Sequence, residues 1–450
     1  MVERGKNQRV LMIVQNLPVP LDRRVWLECQ ALSAQGYEVS VICPKGPGDP
    51  SFHEIDGIHI YKYSPAPEAK GVFGFAYEFA YSWLRTAVLS IRVRRRHGFD
   101  VIQACNPPDT YWLLALLWRM RGARFIFDQH DLNPELYLSR FGKPTGVAGR
   151  LQFGGLVRLE RSTYRTADRV ISTNGSYKRV AEHRGKLAPS HVTVVRSGPD
   201  TTVMRPIYPD PSIRAGASHL LAYIGIMGPQ DGVENILAVM DELVHRRGRT
   251  GIRAVLLGFG DRLEDLKRES TQRALDDNVV FTGRVGPDQI AQYLSSSDLG
   301  LGPDLNTPLN NVSTMNKTME YMAYGLPPVS FDLIETRVSA AETGIYVASG
   351  DIGAFADEIE ALLDDPERRV ELGLRARERA AKVLDWQPQA QAYVSVFHEL
   401  LGNKPDANAW PFAPNPITPT DAAAPVRVNL DDAAELRRFL RERTSPATSR

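Results

Sequence analysis

Residues 220–258 read LLAYIGIMGPQDGVENILAVMDELVHRRGRTGIRAVLLG. The first six form an apolar run of strand length. A glycine-bearing turn follows, and from Val233 apolar residues recur at helical spacing until Gly248, a residue suited to ending a helix. "RAVLLG" from 253 is a second strand-length run. Strand, turn, helix and strand make a βαβ unit, whose two strands run parallel because the helix carries the chain back.

The same alternation extends both ways. Downstream come "NVVFTG" at 278, "DLGLGP" at 298, "PPVSF" at 327 and "GIYV" at 344. Upstream, "RVLMIV" at 9 opens a second series that runs through "EVSVIC", "IHIYKY", "DVIQA", "RFIFD" and "RVISTN" to "VTVVRS" at 192. Between the series lies "GPDTTVMRPIYPDPSIRAGAS", rich in Pro and Gly and without periodicity, which reads as a linker at about 197–218. Alternating strands and helices predict parallel sheets covered on both faces. The expected fold is therefore α/β, with two Rossmann-like domains facing across a cleft and ligands beyond the carboxyl ends of the strands. The N-terminal domain is placed at 1–200 and the C-terminal domain at 201–385. A last helix at 386–402 is free to pack back on the first domain. The stretch 403–450 reads as a Pro-rich tail in which "NLDDAAELRRFLRER" has the pattern of one short capped helix.

Totals narrow the function classes. The chain has 450 residues and a net charge of +1, so it lacks the basic field of a nucleic-acid binder. Three separated cysteines with no CxxC fit a reduced, cytoplasmic protein rather than a disulfide or zinc framework. The N-terminus reads as a first strand, not a signal peptide. No run reaches the ~20 apolar residues of a membrane span; the nearest, 72–91, is broken by Glu78 and Arg85.

The segment "STMNKTMEYMAYGLPPVSFD", 313–332, holds one carboxylate inside an otherwise apolar helix that ends at Gly325 and Pro327. Ser313 or Thr314 is placed to cap it. A helix N-terminus offers unpaired N–H groups and partial positive charge, which suits a diphosphate. Glu320 lies one to two turns in and shares a face with Asn316, where it could accept hydrogen bonds from a ribose. Lys317 would add a cation. The competing reading is a buried helix with Glu320 paired to a neighbouring base.

"NKTMEYMAYGLPPVSF" resembles the donor-binding signature of the retaining glycosyltransferases of the large family four, which have the GT-B fold. Glu320 matches the second of that signature's two glutamates, the one that holds the ribose; the first falls at Val312 and is missing. "DRRVWLECQALSAQGYEVSVICP" resembles the family's opening and would put Asn16, Asp22 and Arg24 near the acceptor side, although a loop salt bridge serves Asp22 and Arg24 equally well. "FIFDQHDLNPE" is similar to the family's loop after a strand, which implies that His130 lies against the donor sugar, next to Asp131. "LLAYIGIMGPQDGVENI" matches the first strand, glycine loop and helix of the donor domain and adds Gly225. The likeness runs over about 8–402 and leaves the tail outside it.

One departure has chemical weight. Where the family carries an Arg and a Lys that neutralise the leaving diphosphate, this chain has Ile226 and Asp231. Lys317, the amides near Thr314 to Asn316, and Arg284 of "TGRV" are the candidates to replace them. The resemblance implies transfer of a hexosyl group from a nucleotide-diphosphate sugar to a glycan or lipid-linked acceptor hydroxyl, with retention, in cell-surface polysaccharide or glycolipid synthesis. With no DxD pair, no metal or other cofactor is expected. The aromatics of 72–97 followed by "RVRRRH" suit attachment at the anionic inner face of a membrane, or burial against the sheet. Two alternatives use the same fold, a nucleotide-sugar epimerase and a non-catalytic binder. A nicotinamide enzyme would need G-x-G-x-x-G after the first strand, where "QNLPVPLD" has no glycine.

Overall fold

A computed structural model of the chain describes residues 8–66, 71–410 and 426–444. These form two compact units, one built from 8–197 and 387–410, the other from 198–386 and 426–444.

In the first unit the strands are β1 (Arg9–Ile13), β2 (Glu38–Pro44), β3 (Phe52–Ile55), β4 (Ile58–Tyr63), β5 (Val101–Cys105), β6 (Arg124–Gln129), β7 (Arg169–Ser172) and β8 (Val192–Val194). Its helices are α1 (Arg23–Ala34), α2 (Gly71–Arg96), α3 (Trp112–Arg119), α4 (Asn133–Phe141), α5 (Gly146–Thr166) and α6 (Gly175–Gly185). Among the described residues the sheet order is β3-β4-β2-β1-β5-β6-β7-β8, parallel except for β3 against β4. That hairpin is absent from the sequence reading. β3 exposes most of its side chains and so shows no core periodicity. Its signal was the Asp56-Gly57 pair, where φ of 53° and 75° makes the tight turn.

The second unit carries β9 (His219–Ile226), α7 (Glu234–Asp241), β10 (Ile252–Phe259), α8 (Leu263–Gln272), β11 (Val279–Gly283), α9 (Pro287–Ser296) and β12 (Leu299–Gly302). It continues through α10 (Asn316–Ala323), β13 (Pro328–Phe331), α11 (Ile334–Ala340), β14 (Ile345–Val347), α12 (Ile352–Leu363) and α13 (Pro366–Arg379). Its parallel sheet runs β11-β10-β9-β12-β13-β14. The helix after it, α14 (Trp386–Leu401), belongs to the first unit for all but its first residue. There Tyr393 Oη donates to Gln103 Oε1 at 2.6 Å, and Tyr37 Oη lies 3.1 Å from His398 Nδ1.

Residues 198–218, read as linker, are part of the second unit. Thr201 donates from both N and Oγ1 to Asp385 Oδ2, and Ile207 is buried and bridged to Arg427. A Pro-rich stretch without periodicity still folds where another segment covers its few apolar groups. The covering segment is the tail. Its helix α15 (Ala433–Thr444) starts at Asp432, whose Oδ1 accepts from Ala434 N and Glu435 N. Val428, Leu436, Phe439 and Leu440 are buried against Val370, with Tyr208 and Leu374 alongside. Residues 411–425 of the Pro-rich stretch lie outside the described residues.

No described helix is long and apolar enough to cross a membrane. The three cysteines are buried and unpaired.

Candidate active site

The donor elements named from the sequence gather at the carboxyl edge of the second sheet. Gly225 and Gly258 sit opposite each other at the ends of β9 and β10, where a Cβ on Gly258 would lie 1.8 Å from Gly225 O. The loop that follows β9 is held by Asp231, whose Oδ2 accepts from Gly228 N at 2.9 Å. Gly232 is required there: its φ is +63°, and a Cβ would meet Pro303 O at 2.5 Å. Asp231, standing where the family carries a cation, is thus a turn-forming carboxylate. Ile226 projects into solvent.

Helix α10 begins beside this loop, and two details differ from expectation. Its N-cap is Met315, not Ser313 or Thr314, and no side chain caps it; Ser313 Oγ instead donates to Leu309 O at 2.8 Å. Met315 brings no capping side chain to the N–H groups of the first turn, of which Thr318 N donates to Met315 O at 3.0 Å. Lys317 is no free cation either. It is buried, and its Nζ donates to both oxygens of Asp304 at 2.7 and 2.9 Å. Burial works against its charge, but Asp304 and then Asp231 outweigh that and raise its pKa. Its stem crosses below Gly225, whose added Cβ would come within 3.3 Å of Lys317 Cε. Asn316 is exposed and Glu320 half-buried on the same helix. The cation left over is Arg284: exposed at the end of β11, it stacks 5.0 Å from the Phe259 ring and makes no ion pair among the described residues.

In the first unit the predicted residues separate. Asn16 is exposed in the bend after β1. Asp22 is the N-cap of α1, accepting from Val25 N at 3.1 Å, in place of a salt bridge to Arg24. Arg24 points inward. Its guanidinium donates to Asp128 Oδ1 (3.1 Å), Val195 O (2.9 Å) and Ser197 Oγ (3.1 Å), and its Nε lies 3.0 Å from Glu28 Oε1. Asp128 closes the cluster with Gln103 Nε2 and His130 Nε2, each at 2.9 Å.

His130 Nε2 is also 3.1 Å from Arg24 Nε. A ring nitrogen can serve one of these partners at a time. Protonated, it donates to Asp128, while Arg24 Nε turns to Glu28; unprotonated, it accepts from Arg24. A bond to a buried anion is the stronger choice, and it leaves Nδ1 as the accepting nitrogen. The backbone here is fixed by Asn106, whose Oδ1 accepts from His130 N (2.7 Å) and Asp131 N (3.1 Å). Asp131 is pushed above the usual carboxylate range by burial, against His130 and Arg140.

The family described as "Glycosyltransferase Family 4" matches residues 21–203, and "Glycosyl transferases group 1" matches 218–365. The chain is a GT-B glycosyltransferase.

The transferase is 23% identical over 414 residues to the glycogen synthase of Mycobacterium tuberculosis, covering 86% of this chain and 94% of that one. To the D-inositol 3-phosphate glycosyltransferase of an Arthrobacter species it is 25% identical over 409 residues, with 86% and 91% covered. Among solved structures, sucrose-phosphate synthase from Thermosynechococcus elongatus superposes with a TM-score of 0.71 at 19% identity, over 88% of this chain and all of that one. Anabaena HepE, in complex with UDP-glucose, gives 0.65 at 14%, with 87% and 99% covered.

Glu28, Gln103, Asn106 and Asp304 were not singled out from the sequence. Only Glu28 carried a local signal, four residues after Arg24 on a helix. Its chemistry is testable. Two buried carboxylates, Glu28 and Asp128, share the field of one guanidinium. Burial, and then Asp128, push Glu28 well above the usual carboxylate range, whereas Arg24 and His130 overcome burial and hold Asp128 below it. Glu28 is therefore the member of the pair that takes up a proton more readily. Glu28→Gln copies its protonated form and is expected to change stability by less than about 1 kcal/mol. Asp128→Asn strips Arg24 of its counter-charge and is expected to cost about 3 kcal/mol or more. Urea denaturation of both variants checks this; a larger loss for Glu28→Gln would reverse the assignment.

Proposed function

We propose that the transferase moves a hexosyl group, with retention, from a nucleoside-diphosphate sugar to the hydroxyl of a glycan or lipid-linked acceptor. The observation that carries the reading is the N-terminus of α10, whose N-cap Met315 offers no capping side chain, beside the Gly225 loop, with Glu320 on the same helix. The first-turn amides and the positive helix end receive the diphosphate. Glu320 accepts from the ribose hydroxyls. Arg284 supplies the cation that Ile226 and Asp231 do not. Lys317, paired with Asp304, orders the floor of the site rather than neutralising the leaving group. We read the diphosphate as held without a metal, by amides and guanidinium.

As the glycosidic bond to the diphosphate breaks, negative charge grows on the phosphate oxygen and positive charge on the anomeric carbon. The α10 end serves the first. His130, whose Nε2–H donates to Asp128 and whose Nδ1 is left to accept, is the residue we assign to the second. With no carboxylate assigned as nucleophile, the acceptor hydroxyl attacks on the face the diphosphate leaves, which keeps the configuration. The test is a thermal-shift screen of nucleoside diphosphates. A ligand at 100 times its Kd adds about 2.7 kcal/mol, so one diphosphate should raise the Tm of the wild type and fail to raise that of Glu320→Ala. Equal shifts in both would remove the ribose role from Glu320.

The acceptor side of the reading includes a membrane surface. Helix α2 turns Tyr81, Trp83, Ala87 and Leu89 to the core and leaves Tyr77, Leu84, Val88 and Ile91 exposed in one stripe. The stripe ends at Arg92, Arg95 and Arg96. Side chains of 71–76, including Phe73 and Phe75, lie outside the described residues. An apolar stripe with a basic end suits an anionic leaflet, each basic residue adding about 1 kcal/mol near the surface. Vesicles of phosphatidylglycerol should co-sediment the protein at low salt. Replacing the three arginines by glutamate should abolish this, and co-sedimentation undiminished in that variant would end the membrane assignment.

A further inference from the structure

Helix α10 is only eight residues long, and its two ends are treated differently. The first turn has no capping side chain at its N-cap, Met315. The last is enclosed by the chain's own arginines. Arg377 of α13 donates Nη1 to Ala323 O at 3.0 Å. Arg443 of α15 donates Nη1 to Tyr324 O at 3.0 Å and Nη2 to Gly325 O at 2.7 Å. Three successive carbonyls at the negative end of the helix thus face two buried guanidiniums, the arrangement that a helix dipole favours. The backbone is pressed into the same place. Gly325, with φ of +65°, has room for no Cβ without meeting Gly373 O and Leu440 Cδ2, each at 3.3 Å.

Arg443 belongs to the tail, beyond both stretches that match known glycosyltransferases. It is 7% exposed, and it forms no ion pair among the described residues. Its own carbonyl accepts from Arg214 Nη1 at 2.6 Å, which fixes the end of α15 to the body of the unit. A two-turn helix of about 12 Å is stiff over its length, so a shift at Gly325 appears undiminished at Asn316.

We propose that Arg443 is a positioning residue for donor binding: from the C-terminal tail it holds the far end of α10, and so sets where the open end of that helix and Glu320 stand. The proposal rests on the reading that α10 receives the donor diphosphate. Its consequence is that donor affinity in this transferase depends on a segment outside the catalytic fold.

The experiment titrates the full chain with UDP, and with ADP in parallel, by calorimetry well below each variant's Tm. Arg443→Ala is expected to raise the Kd of the binding diphosphate at least tenfold. Arg443→Lys, which reaches one carbonyl, should fall between it and the wild type. Two controls separate position from stability. Arg437→Ala loses only a surface pair with Glu371 and should bind within twofold of the wild type. Leu436→Ala removes packing from the same helix, so it should lower the Tm while leaving the Kd in place. An unchanged Kd in Arg443→Ala overturns the proposal, as does a Kd that rises equally in Leu436→Ala. Should Arg443→Ala not fold, Arg443→Lys decides: a Kd at least threefold above wild type supports the role, and a wild-type Kd overturns it. Failure of the wild type to bind either diphosphate would instead remove the donor reading, and this proposal with it.

Discussion

Arg24→Ala is expected to destabilise the first unit by about 3–5 kcal/mol, the usual penalty for leaving a buried charge without its partner. Asp128 is fully buried, and Arg24 is the largest of the charges that oppose that burial, ahead of His130. The same substitution removes the bonds to Val195 O and Ser197 Oγ, so the end of β8 loses its anchor as well. The pH dependence gives the cause away. In the wild type the folded pKa of Asp128 is depressed. Its stabilising contribution is therefore present above the unfolded value of ~3.9 and is lost only as pH falls through the lower folded one. In the variant burial loses its largest opponent and only His130 and the remaining hydrogen bonds are left against it, so the folded pKa is expected to rise above the unfolded one. That state loses stability as pH rises through the raised value. The deficit should accordingly be smaller at pH 5 than at pH 7. A deficit independent of pH would mean that packing, and not the stranded carboxylate, is what Arg24 supplies. The double variant Arg24→Ala/Asp128→Asn should lose less than the sum of the two singles, because removing both charges leaves none stranded.

This cluster shows where a sequence can be read and where it cannot. The two parallel sheets follow from alternation alone, since a strand buried on both faces must be a continuous apolar run. His130 and Glu320 were visible as polar residues placed at a strand end and inside an apolar helix. Roles that depend on what a side chain meets across the fold were not visible. Asp22 and Arg24 stand two apart at the start of α1, yet one caps the helix and the other enters the core. Lys317 reads as a cation aimed at a phosphate until Asp304, thirteen residues earlier and after another strand, holds its Nζ with both carboxylate oxygens. The same limit hid the tail. Helical spacing in "NLDDAAELRRFLRER" puts Arg443 on the face of Leu436, Phe439 and Leu440 and leaves Arg437 and Arg441 off it, but only packing shows that the first meets the carbonyls at the end of α10 and the others surface carboxylates.

His130→Ala is expected to lower kcat by about 10²–10³, the range for losing one preorganised electrostatic contact to a developing charge, while the Kd for the nucleoside diphosphate changes little. The split follows from where the residue sits. His130 is held by Asp128, Arg24 and the Asn106 side chain, none of them part of helix α10, to which we assign the diphosphate. Its contribution therefore belongs to the transition state and not to ground-state binding of the nucleotide. Single-turnover transfer measured alongside diphosphate affinity reads the two separately. Asn106→Ala offers a graded comparison: it keeps the imidazole but frees the backbone that aims it, so its kcat should fall by less than that of His130→Ala. If His130→Ala instead weakened diphosphate binding in proportion to its loss of turnover, the histidine would be part of nucleotide recognition, and charge stabilisation at the anomeric carbon would have to come from elsewhere in the chain.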